Sequence, residues 1–232
     1  MAVFGLVISL SVAIIFSLSL PSPTAAGPLQ KEAVAYYDPA AGGGSMINNA
    51  GYGFGEPLNV IISGRSSSPV FTDDGFLNYA RPLGFSKECF GLHLGDPQSA
   101  NLGDGNGPVN QTVELRAGFG NFLFGTCLES LKGGNHLRMF RQNGPNANSG
   151  ALFLAVSTEE NVSKKHTISP DGYNAGRDAL VSSATSRKTS FGDVTYSTTS
   201  ESLSSLLTPG SSGVNHGIAQ DGIVKLLTVT IY

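Results

Sequence analysis

The chain has 232 residues, 40% of them hydrophobic; Leu, Ile, Val and Phe number 62 and Gly plus Pro 42, so a wholly disordered or low-complexity chain is excluded and one sizeable core is expected. Only 13% of residues are charged, and 14 basic against 17 acidic groups give a net charge of −3 with no basic cluster. Nucleic acid therefore has no electrostatic support as a partner.

Val3 to Leu20 are almost unbroken Val, Ile, Leu, Phe and Ser, and no charged side chain precedes Lys31. Small residues follow the Pro21-Ser22-Pro23 break in Thr24-Ala25-Ala26-Gly27, so residues 1–26 are expected to be a signal peptide cut after about Ala26. The basic start of such a peptide is missing, and the alternative is an uncleaved anchor. No later run is long and apolar enough to cross a bilayer, so no stable span is expected after cleavage. The expected compartment is extracellular.

Residues 27–55, Gly- and Ala-rich, are expected to form a partly ordered amino-terminal arm. Leu58 to Ser63 has the length and β-branched content of a buried strand. Phe76, Leu77, Tyr79, Ala80 and Leu83 recur at helical spacing behind Thr72-Asp73-Asp74, an N-cap with acidic first-turn groups, and Pro82 and Gly84 end that helix. Cys89 to Leu94 is read as a strand and Gly95 to Pro108 as an extended loop. Strand-like Val113 to Phe119 and short helical Asn121 to Leu131 follow. Asn135 to Gln142 and Ala151 to Ser157 form the clearest strand pair, joined through Asn143 to Gly150, and the run Ala151 to Val156 is apolar on both faces, as a central strand must be. A helix covers Tyr173 to Ala184 after the Pro170-Asp171-Gly172 turn.

Residues 182–212 hold 17 Ser or Thr among 31 and leave O-glycosylation open. A bare stalk is disfavoured by strands at Val194 to Tyr196 and Ile223 to Tyr232. The expected fold is α+β, with residues 56–232 forming one domain around a largely antiparallel sheet with two or three helices.

An exported chain with two cysteines, Cys89 and Cys127, is expected to close one disulfide, with two buried thiols as the alternative. Asn110-Gln111-Thr112 and Asn161-Val162-Ser163 are N-glycosylation sequons. No nucleophile elbow, phosphate loop, His-Glu-x-x-His or Cys-x-x-Cys occurs, and no cofactor or metal is expected. Asp104-Gly105-Asn106-Gly107-Pro108 begins like a calcium loop, yet Leu115 stands where the bidentate Glu is required.

On a strand, alternation puts His136, Arg138 and Phe140 on one face and Leu137, Met139 and Arg141 on the other. An imidazole and a guanidinium then project together, a pairing suited to an oxyanion or to acid-base work. His136, His166, Asp171 and Asp178 are the candidates for a catalytic or ligating cluster, with Arg138 and Arg177 as binding groups. The competing reading is a structural network in which Arg138 or Arg177 pairs Asp178.

Several of these stretches, in this order, resemble the LssY carboxy-terminal domain family: Glu56 to Gly64, Tyr79-Ala80-Arg81-Pro82-Leu83-Gly84-Phe85, His136 to Phe140, Ala151 to Glu159, and His166 to Asp178. The chain departs from that pattern at Glu56-Pro57, Gly84-Phe85, Lys165-His166 and Gly176, where the family favours Asp-Pro, Gly-Trp, a His-His pair and a Glu. The resemblance implies no assigned reaction. The expected function is a secreted, non-catalytic binding module for an extracellular ligand, a glycan or a cell-surface component. The alternative is a secreted hydrolase of phosphoesters or glycans.

Overall fold

The computed structural model describes Met1 and residues 33–91, 96–121 and 124–232; the expected signal peptide, residues 27–32 of the arm and residues 92–94 of the expected strand lie outside the described residues. In chain order the elements are β1 (Val60–Ile62), α1 (Asp73–Ala80), β2 (Phe85–Lys87), β3 (Ser99–Asn101), β4 (Pro108–Asn110), β5 (Val113–Ala117), α2 (Gly125–Lys132), β6 (Gly134–Asn143), β7 (Asn148–Glu159), α3 (Gly172–Thr185), β8 (Thr189–Phe191), β9 (Val194–Leu203) and β10 (Val224–Ile231). Eight strands form one mixed sheet in the order β2-β5-β6-β7-β1-β10-β9-β8, and β3 pairs with β4 apart from it, so the fold is α+β. Every neighbour in the large sheet is antiparallel except β1 and β10, which run parallel with Val60 opposite Lys225.

Alternation along the strands builds two cores. Val60, Ile62, Leu137, Met139, Leu154, Val156, Leu227 and Val229 face one side, where Phe76, Leu77, Tyr79 and Ala80 of α1 and Leu180 and Ala184 of α3 cover them. Ile61, Phe140, Phe153, Ala155 and Leu226 face the other, beneath Met46, Ala100, Leu102 and Leu207. Helix α1 starts as its sequence dictates: Thr72 Oγ1 accepts from the amide of Gly75, and Gly84 leaves the following turn at φ 100°.

Four expectations are corrected. The strand around Cys89 is displaced to Phe85–Lys87, and Cys89–Gly91 is a 3₁₀ turn. The loop from Gly95 to Pro108 contains β3, whose Ala100 is buried in the second core. The connection between β6 and β7 tightens because Asn143 pairs with Asn148. The described part of the arm is tied down: buried Gln142 receives the amide of Tyr37 and donates to its carbonyl, and Met46 accepts from the amide of Leu58.

Candidate functional site

The second sheet face changes character along its strands. At the centre it is apolar, but towards one end of β5, β6 and β7 the cross-strand rungs read Glu114–Arg138–Ala155 and Arg116–His136–Ser157, with Glu159 opposite Gly134. His136, Arg138 and Phe140 do share this face, as alternation predicts. Glu56, just before β1, reaches over it and accepts from Arg138 Nη1 at 2.7 Å. Arg116 meets Glu88, Glu114, Glu129 and Glu159, all within 3.0 to 3.3 Å. Carboxylates thus outnumber guanidinium groups around His136, whose side chain is fully buried.

That imbalance sorts the acids. Burial pushes the Glu56 carboxyl up, but Arg138 and then His136 outweigh it and hold it at about 2. Burial is likewise overcome at Glu114, where Arg138 and Arg116 keep the carboxyl low. At Glu129 burial wins: Arg116 opposes it, the charge of Glu159 adds to it, and the carboxyl is raised. Its Oε1 has no hydrogen-bond partner among the described residues. His136 Nε2 lies 2.8 Å from Arg138 Nη1 and 3.8 Å from Glu56 Oε1, and its Nδ1 faces Glu159 Oε1 at 3.3 Å.

The two histidines converge. His166, held at φ 53° after β7, places Nδ1 3.6 Å from Glu159 Oε2, so one carboxylate lies between a buried and a half-buried imidazole. Asp171 and Asp178 do not join them. Both are exposed, one just before α3 and the other on it; Asp171 accepts from Asn174 and Asp178 from Arg177 Nε. Arg177 is buried, grips Asp221 with both terminal nitrogens, and donates to the carbonyl of Ile223, so it is committed to joining α3 to β10. Asp104 accepts from the amides of Asn106, Asn143 and Gly144 and organises a turn. Among the described residues no cluster of three or more His, Cys, Asp or Glu is placed to hold a metal ion. Cys89 and Cys127 form the expected disulfide, with Cα atoms 4.8 Å apart. Asn110 is exposed and Asn161 half-buried at its turn, where its side chain accepts from Ser163.

Helix α2 is built inside out. Its inward face carries Thr126 and Glu129, both buried, while Phe124, Leu128 and Leu131, spaced for one helical face, are 55%, 42% and 60% exposed. Three anchors replace apolar burial: the Cys89–Cys127 bridge, the ion pair from Glu129 to Arg116, and a close approach of Gly125 to Gly118 that leaves no room for a Cβ. Phe90, which stacks edge-on with Phe124 at 6.1 Å, and Phe119, beside Gly134, extend the apolar surface; both have positive φ. The helix is the short one the sequence predicts; its outward apolar stripe is not part of that expectation, and the 124/128/131 spacing is the signal for it. Elsewhere, a cleft of about 290 Å³ lies between α1 and β5 and is lined by Asp73, Asp74, Glu88 and Glu114.

No protein-family model matches the chain, and no curated protein or solved structure shows significant similarity to it.

Proposed function

We propose that the protein is a secreted, disulfide-stapled binding module that engages an extracellular or cell-surface component through the surface presented by α2. The observation that carries this reading is the reversed amphipathicity of α2: buried Thr126 and Glu129, against solvent-facing Phe124, Leu128 and Leu131. A contiguous apolar face is costly to leave in water, so it implies an occupant. The chemistry-bearing pair supports a structural role, because His136 and Arg138 are consumed by Glu56, Glu114 and Glu159. A cleaved leader at residues 1–26, a glycan on Asn110 and the likeness to the LssY carboxy-terminal domain belong to the same proposal. The disulfide is what supports an oxidising compartment.

Expression in a secretory host tests it. The expected product is in the medium or on the cell surface, leader-free and oxidised, and Leu128→Ser/Leu131→Ser lowers its surface retention without changing its melting curve. An intact, unglycosylated chain with both thiols reduced inside the cell would overturn export. Unchanged retention of the double variant would overturn the role of α2.

One observation favours a second reading, a secreted hydrolase of phosphoesters or glycans: the Glu159 carboxylate lies between two imidazoles, 3.3 Å from His136 Nδ1 and 3.6 Å from Nδ1 of the half-buried His166. Hydrolysis of a phosphoester or glycan substrate that is abolished by His166→Gln, in a protein of unchanged stability, would establish it.

A further inference from the structure

The α2 surface has a rim as well as a centre. Phe90, Phe119, Phe124, Leu128 and Leu131 stand out from the domain with exposures between 42% and 72%. Beside them, Lys132 closes α2, and the Val162–Lys164 turn that contacts α2 brings exposed Lys164 and Lys165 alongside. Lys164 pairs with Glu160, whereas Lys132 and Lys165 have no ion pair among the described residues. Phe90, Phe119 and Lys165 all occupy the left-handed region, a conformation that disfavours side chains and persists where the surroundings enforce it.

We infer that this face docks on an anionic lipid bilayer, with the Phe and Leu side chains entering the interface and Lys132, Lys164 and Lys165 meeting the headgroups. The inference rests on the binding reading above and names its partner. Apolar side chains flanked at one end by lysines match the layering of a membrane surface, where burial and attraction to anionic headgroups act together. A protein partner would need a complementary acidic rim around an apolar groove, and nothing in the chain favours one. The anchors of α2 fit such docking, because a disulfide and a buried ion pair hold the helix without using its apolar side, which leaves that side for the bilayer.

The chain contains no tryptophan, so Leu131→Trp supplies a single reporter. Protein secreted without N-glycans is mixed with vesicles of phosphatidylcholine alone or of phosphatidylcholine with phosphatidylserine. The expected result is a blue shift and co-sedimentation with the mixed vesicles, both weakened by salt. Binding falls at least about tenfold in Leu128→Ser/Phe124→Ser, and the preference for anionic vesicles is lost in Lys132→Gln/Lys165→Gln. Melting curves report whether each variant is folded, and the lysine variant alters only exposed residues. Neither shift nor sedimentation with the mixed vesicles would overturn the lipid assignment, as would a dimer that, without vesicles, already shields the indole of the Leu131→Trp variant from quencher. If vesicles fail but the Leu128→Ser/Leu131→Ser variant still leaves the cell surface, the lipid inference falls and the binding reading stands.

Discussion

Glu56 and Glu129 lie in one buried network and respond oppositely to pH. The carboxyl of Glu56 is held at about 2, below its ordinary 4.5, so its ion pair favours the fold above the ordinary value and is lost as pH falls through the lower one. Replacing Glu56 by Gln is expected to cost about 3 kcal/mol at neutral pH, with the difference shrinking towards pH 2 in urea titrations. Glu129 is raised, first by burial, so the folded state holds its proton more tightly than the unfolded chain does; its contribution turns against the fold as pH rises through the raised value. Because Gln does not ionise, the stability of Glu129→Gln relative to the wild type should shift in the variant's favour from acid to mildly alkaline pH, with the loss of the Arg116 ion pair as a separate cost. A difference that is the same at every pH would refute the account. Residue patterns showed that His136 and Arg138 share a face, because alternation needs only neighbouring positions. They did not show Glu114, Arg116 or Glu159 as partners, since those meet only through the register of three strands.

At the scale of elements, long periodic segments were legible and short ones were not. Strands β6 and β7 and helices α1 and α3 carry enough alternating or helical repeats to declare themselves. Strand β3 offers only Ser99, Ala100 and Asn101, and its pairing with Val109 and its neighbours comes from tertiary contact. Helix α3 packs so closely on β7 that a Cβ on Gly176 would lie 2.5 Å from Asn135 Oδ1 and 2.6 Å from the Ser157 carbonyl carbon. Gly176→Ala gains helix propensity yet is expected to lose about 2 kcal/mol overall, because backbone cannot yield as a flexible side chain can. A rise in thermal midpoint for that variant would show that α3 has slack. The same contact leaves no room for any larger side chain at this position.

For the whole molecule, the Cys89–Cys127 bridge spans a sequence separation of 38 and ties α2 to the turn after β2. Loop-closure entropy assigns it about 4 kcal/mol, and the paired Cys89→Ala/Cys127→Ala variant should lose about that much in chemical denaturation. Hydrogen exchange should show the loss concentrated in α2, whose other anchors are one ion pair and one glycine contact, before the sheet opens. Uniform loss across the sheet would mean that α2 is held by more than these anchors.

The parallel seam between β1 and β10 has a temporal consequence. Strand β1 is only three residues long, and the β8–β9 hairpin joins the sheet solely through β10. The half of the sheet from β2 to β1 pairs without β10, but the seam and the hairpin beyond it wait for residues 224–231, so the last stretch to be synthesised is the one that joins the two halves of the sheet.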